Sequence, residues 1–326
     1  MQILVNYITK LIKLFICIYL NVLNFFLYYK RRKNTKVCIC TIGKEENRYI
    51  REFIEYYKKL GVDKIFLYDN NDKNNEKFED IIKDYIHTGF VQILDWRGIE
   101  RPHFKAINDC YLNNNKKYDW LIFYDIDEYI HLSNYKNIKQ FLDSKKFNKC
   151  NKIYLNWVFH TDNDLIYYEN KSLFERFPEL ERDAIININF SQKVKSIVRG
   201  NISNFLIANN SHTSHIITDS IKACNGFGKE INLDDEFYLP NSDAKYNYID
   251  HFYTKSVEEF VNKIKRGSAV NANNKKFKLF RIIRFFSINK LRNNKYKYII
   301  QNLGINFTTK KSNFQRKENK KRLKNN

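Results

Sequence analysis

The stretch Trp120-Leu121-Ile122-Phe123-Tyr124-Asp125-Ile126-Asp127-Glu128-Tyr129-Ile130 decides the reading of this chain, because an apolar strand there runs into three carboxylates within four positions. Side chains alternate along a strand, so Asp125 and Asp127 are expected on one face at its carboxyl end. Two hard oxygen donors on one face, with room for waters and phosphate oxygens, suit Mg²⁺ or Mn²⁺ bound to a diphosphate. Acids also end strands merely to meet water, and Asp-x-Asp arises by chance. Position separates the two readings, since ligands of open α/β sheets sit at the carboxyl ends of strands.

Working outward, residues 37–42 read as a short apolar strand. Residues 45–60 place Ile50, Phe53, Ile54, Tyr57 and Leu60 at helical spacing, with Gly61 as the C-terminal cap. Residues 64–68 and 90–94 read as strands with a helix over 76–86 between them, and 103–115 as a helix feeding the strand that ends in Asp125. Such alternation predicts an α/β domain with a mixed, mostly parallel sheet and helices on both faces. After Ile130 the alternation breaks down. Residues 153–159 read as one more strand, and Ser256-Val257-Glu258-Glu259 as a capping box opening a helix to Lys265, stopped by Gly267.

The net charge of +21 suggests a nucleic-acid binder until it is located. From Lys275 onward there are 17 Lys/Arg against the single acid Glu318, so 16 of the excess positive charges lie in the last 52 residues of the 326. There they mix with Phe, Leu and Ile, which suits an amphipathic helix on an anionic membrane surface better than a nucleic-acid groove. Residues 11–29 are apolar apart from Lys13, Asn21 and Asn24 and run into Lys30-Arg31-Arg32-Lys33. That length can span or lie on a bilayer, and the flanking charge places the remainder on the cytoplasmic face. The organisation expected is a membrane anchor over 1–34, a catalytic domain over 35–270 and a basic tail over 271–326. Six cysteines without metal-like pairs fit buried thiols in a reducing compartment.

Taken in order, Cys38 to Asn47, Asp69-Asn70, Asp125-Ile126-Asp127-Glu128, Asn156-Trp157, Glu175-Arg176-Phe177, Lys195 to Arg199 and His251 to Phe260 resemble glycosyltransferase family 92 and its family-2-like bacterial relatives, over residues 36–267. The resemblance implies a GT-A, Rossmann-like fold. It also implies a nucleotide-sugar donor such as UDP-galactose, a divalent metal on the Asp-x-Asp motif, and inverting transfer to a glycan or glycolipid acceptor. Carried over, Asp125, Asp127 and His251 would be the metal group, with Mn²⁺ or Mg²⁺ as the ion. Thr41, Glu45, Asp69 and Asp125 would hold the nucleotide, and Lys195, Arg199 and Lys255 the phosphates. An acid at a helix start, as at Glu45, is also favoured by the helix dipole alone. Asp162, Asp164 and Glu175 are the candidates for the base that takes the acceptor proton. The chain departs from the family pattern at Phe159 to Asp164, where a Phe-Gly turn is commoner, and at Phe104-Lys105, where Gln is usual.

Two other classes compete. A nucleotidyltransferase would use the same metal and diphosphate logic but usually carries a Gly-rich basic loop after its first strand, for which Thr41-Ile42-Gly43-Lys44 is too sparse. A binding protein would rest on the tail alone, with a membrane favoured over nucleic acid.

Overall fold

The computed structural model describes residues 35–99, 102–181, 193–202, 206–208, 214–216, 222–231, 239–267 and 275–304, together with Tyr19. Alternation along the first strand organises the amino-terminal half. In β1 (Val37–Gly43), Val37 and Ile39 join the core beneath α1 (Asn47–Leu60), while Cys38 and Cys40 face the opposite layer. The chain continues through β2 (Lys64–Asp69), α2 (Glu79–His87), β3 (Val91–Asp95), α3 (His103–Asn114) and β4 (Trp120–Ile122). α1 buries Ile50, Phe53, Ile54 and Tyr57 completely, each contributing on the order of 2 kcal/mol. It ends at Gly61, whose φ of 93° is open to glycine at little cost. On the other face α3 packs Ala106, Ile107, Cys110 and Tyr111 against Cys38, Cys40, Phe66 and Tyr68.

The second half supplies β5 (Glu128–Leu132), α4 (Ile138–Leu142), β6 (Lys152–Phe159), α5 (Leu173–Arg176), β7 (Val194–Arg199), a separate hairpin of β8 (Leu206–Ala208) and β9 (Ser214–Ile216), β10 (Ala223–Asn225), β11 (Glu230–Ile231) and β12 (Asn247–His251). Helices α6 (Val257–Lys265), α7 (Lys275–Ile288) and α8 (Asn293–Leu303) follow. The main strand order is β11-β10-β6-β7-β4-β1-β2-β3. Strands β3, β2, β1 and β4 are parallel, whereas β7 runs antiparallel to both β4 and β6. The expected mixed, mostly parallel sheet with helices on both faces is therefore present. Because β1 sends one connection to β2 and lies beside β4 on its other edge, its carboxyl end is a topological switch point, where a crevice opens.

Three expectations change in detail. The apolar strand does not persist to the acids: β4 stops at Ile122, and a turn closed by Glu128 N–H donating to Asp125 O at 3.1 Å carries residues 125–128. Asp125 and Asp127 consequently do not share a strand face. Four cysteines expected as thiols are bonded, Cys40 to Cys110 between β1 and α3 and Cys150 to Cys224 beside β6, leaving Cys38 as the free buried thiol among the described residues. Residues 275–304 of the expected tail lie on the body, with Ile282, Phe285, Ile288 and Ile299 buried in the main core. The anchor over 11–29 falls outside the described residues apart from Tyr19, and no helix among the described residues is long and apolar enough to cross a membrane.

Candidate active site

At the switch point a cleft of about 500 Å³ opens between the ends of β1 and β4 and helix α6. Gly43 forms its floor. A Cβ there would fall 2.6 Å from the Ile126 Cδ1 and 2.7 Å from the Phe78 ring, so a larger residue would displace the side chains packed at the end of β1. The walls include Lys44, Glu46, Asn70, His103, Asp125, Asp127, Trp157, His251, Lys263, Arg266 and Arg281.

Register builds the centre of the site. β12 lies antiparallel to β5 with His251 opposite Glu128, and parallel to β6 with His251 beside Phe159. Asp127, Glu128 and His251, all buried, therefore each present one donor atom within 4.8 Å of the others. His251 Nε2 is 3.6 Å from Asp127 Oδ1. Burial pushes the His251 pKa down to about 4 despite Asp127, so the imidazole is neutral near pH 7 and able to ligate. Among the described residues, His251 Nδ1 and Glu128 Oε1 are buried without a hydrogen-bond partner. Two carboxyl groups and a neutral imidazole whose donor atoms lie this close offer the O,O,N set that Mg²⁺ or Mn²⁺ accepts.

Lysines balance the acids. Lys263 Nζ lies 2.6 Å from Asp127 Oδ2, with Lys255 Nζ at 3.9 Å. Burial disfavours the charge on Asp127, but Lys263, His251 and Lys255 together hold its carboxyl well below the usual range. Asp125 is treated likewise: burial opposes its charge, yet Lys195 at 2.7 Å and His103 at 3.5 Å keep it ionised. Glu128 differs. Burial drives its pKa well up, although Lys195 is 3.3 Å away and its Oε2 accepts the Asp125 N–H.

The expected residues separate into those the fold gathers and those it does not. Asp127 and His251 meet as expected, but Glu128 takes the third place anticipated for Asp125, which instead faces the cleft with its side chain 40 % exposed. Thr41 and Asp125 line a small pocket beneath the cleft. Glu45, at φ 53°, turns into a neighbouring hollow of about 260 Å³ shared with Lys255. Asp69 is fully buried and bound to Arg97 Nε at 2.9 Å and the Asn71 N–H at 2.8 Å, so it braces the loop whose Asn70 and Asp72 reach the cleft. Lys195 acts from beneath, through Asp125. Arg199 sits at the far end of β7, opposite Trp120, and donates to the carbonyls of Cys150 and Phe147; it is placed to hold the fold and not a phosphate.

None of the three candidate bases lines the cleft. Asp162 and Asp164 are clamped by the buried Lys295 of α8 at 2.7 Å, and Arg292 also grips Asp164. Glu175 closes a capping box with Ser172 at the start of α5. The residues missed from sequence are Glu46, His103, Lys263, Arg266 and Arg281. Lys263 and Arg266 stand one helical turn apart just beyond the quoted His251–Phe260 motif, and their spacing from the capping box was the available signal.

The family model for glycosyltransferase family 92 matches residues 33–223. This chain belongs to glycosyltransferase family 92. Among curated relatives, a family 92 protein of Oryza sativa subsp. japonica is 29% identical over 115 residues, covering 34% of this chain and 19% of that protein. A Ricinus communis family 92 protein is 27% identical over 110 residues, covering 33% and 19%. The chain thus matches about a fifth of the length of these relatives. A crystal structure of S. aureus TarS in complex with UDP-GlcNAc aligns with a TM-score of 0.34 and 14% identity, covering 83% of this chain and 80% of that one.

Proposed function

We propose that this family 92 protein is a glycosyltransferase, in preference to a nucleotidyltransferase, and that it moves a hexose from a UDP-sugar to a hydroxyl of a glycan or glycolipid, with inversion and with the help of Mn²⁺ or Mg²⁺. The observation that carries the reading is the Asp127, Glu128 and His251 group, whose Asp127 and His251 line a cleft together with Lys44, Lys263, Arg266 and Arg281. A divalent ion held there would neutralise the diphosphate leaving group as its charge develops. Lys263 and Arg266 stand on the same wall to bind phosphate oxygens, and Lys255 supports them from the adjoining hollow. Asp125, held ionised by Lys195 and open to the cleft, accepts hydrogen bonds from the donor's hydroxyls.

The proposal includes attachment to a membrane through residues 11–29, with the domain on the cytoplasmic face that Lys30 to Lys33 favour. The two disulfides count against that face, since such bonds persist in oxidising surroundings. The transfer reading is tested by incubating the purified protein with a panel of UDP-hexoses and Mn²⁺, with and without a chelator. Metal-dependent release of UDP with one sugar is expected, and NMR of the new anomeric centre reads the stereochemistry. A folded protein that binds none of the UDP-sugars and releases no UDP would overturn the proposal.

A further inference from the structure

Helix α7 has two unlike sides. Ile282, Phe285 and Ile288 are buried in the core, with the Phe285 ring 4.5 Å from that of Phe260 in α6. Arg281 reaches the donor cleft. On the other side Leu279, Phe280 and Ile283 are 42, 45 and 55 % exposed, and Leu291 in the following turn is 72 % exposed. Residues 279, 280 and 283 fall on one helical stripe. Large apolar residues clustered in this way on a surface mark an interaction site.

Charge identifies the partner. Residues 275–304 hold nine Lys/Arg and no Asp or Glu. Arg284 and Lys295 are buried and Arg292 pairs with Asp164, while Lys290, just past the end of α7, and Lys297, on α8, are exposed. A second copy docking through the same face would set cations against cations. An apolar stripe on a segment that carries exposed lysines and no acid fits a surface that combines hydrocarbon with negative charge.

We propose that the Leu279–Phe280–Ile283 face of α7 docks on an anionic lipid surface. Arg281 lies on the opposite side of the same helix, so docking sets the cleft about one helix diameter, roughly 10 Å, from the headgroups. Membrane-borne acceptors are thereby brought to the rim of the donor site. This proposal holds independently of the sugar transferred.

A position-resolved probe separates this contact from any made by residues 1–34. In the full chain, Ile283→Trp introduces an indole on the stripe, and Leu112→Trp places one on the exposed side of α3 as a reference. The variants are mixed with phosphatidylcholine vesicles with or without phosphatidylserine, all brominated in the acyl chains. Quenching of the Ile283→Trp emission is expected on the phosphatidylserine vesicles alone, weakened by added salt, with Leu112→Trp unaffected. The double variant Leu279→Glu/Ile283→Glu should lose this salt-sensitive vesicle binding while its UDP-sugar affinity and circular dichroism match the parent. Equal quenching at 112 and 283, or none at 283, overturns the proposal. So does salt-sensitive binding to single-stranded DNA that outcompetes the vesicles. Absence of UDP release by the parent would count against the transfer reading and leave the quenching result standing.

Discussion

The chain carries the spacing Asp-x-Asp twice, at Asp125-Ile126-Asp127 and at Asp162-Asn163-Asp164, and folding gives the two pairs opposite fates. Both meet lysines at about the same distance. Asp127 lies 2.6 Å from Lys263, and Asp162 lies 2.7 Å from Lys295. The difference is in what each pair faces. Around Asp127 a cleft of about 500 Å³ stays open, with Asp125, Asp127 and His251 in its lining. Around Asp162 and Asp164, Lys295 and Arg292 fill the site, and Asn289 Oδ1 accepts the Asp162 N–H at 2.6 Å. One pair is a site held ready, and the other is a clasp that fixes α8 to the body.

Substitution breaks the comparison most directly. Asp127→Ala should lower metal-dependent turnover by about two to four orders of magnitude, with the melting temperature little changed. Asp162→Ala should do the reverse. It removes a buried partner of Lys295 and should cost about 3 kcal/mol in a denaturant titration, while the rate of the folded fraction holds. A large rate loss in a stable Asp162→Ala protein would return that residue to the catalytic base assigned from sequence.

Acid sharpens the contrast next. His251 has a pKa of about 4 when folded against an ordinary 6.5, so the unfolded chain binds the extra proton first. Stability should therefore fall as pH drops from 6.5 towards 4, by about 3 kcal/mol in total from this group. Chelator-treated protein followed by denaturant titration at several pH values measures it. His251→Gln should flatten that part of the profile, and an unchanged profile would mean the imidazole is not held neutral.

On the wall of the cleft, Lys263→Ala should raise the donor KM by about tenfold to a hundredfold, as expected for loss of one charge-assisted bond. Isothermal titration with UDP gives an independent value. The smallest effects lie away from both acid pairs. Glu175→Gln should leave turnover unchanged, since that carboxylate only caps α5. Alkylation of the protein denatured at harvest should leave Cys40, Cys110, Cys150 and Cys224 unlabelled until reduction. Labelling of all four without reductant would restore the reducing compartment expected from the cysteine spacing.

Much of the fold was legible because it rests on local periodicity. The helix expected to stop at Gly61 does so, and the strands expected near 37, 64 and 91 lie within a residue or two of their observed limits. The site was legible only where a motif sits at a strand end, as for Asp127 and His251. It failed where long-range partners decide. Nothing near Asp162 in sequence announces Lys295, 133 positions away. The turn at Asp125 depends on Glu128 reaching back to the Asp125 N–H, and the cysteine pairs join positions 70 and 74 residues apart.

The contact between Lys263 and Asp127 has a consequence for the order of events. In the ligand-free protein the ammonium serves as an internal counter-ion to the acidic turn. Arrival of a metal–diphosphate pair would let Lys263 exchange one anion for another within the reach of its own side chain. The net charge of the pocket then changes little through the encounter, and little reorganisation is left for the moment of reaction. Metal and donor should accordingly each tighten the other's binding.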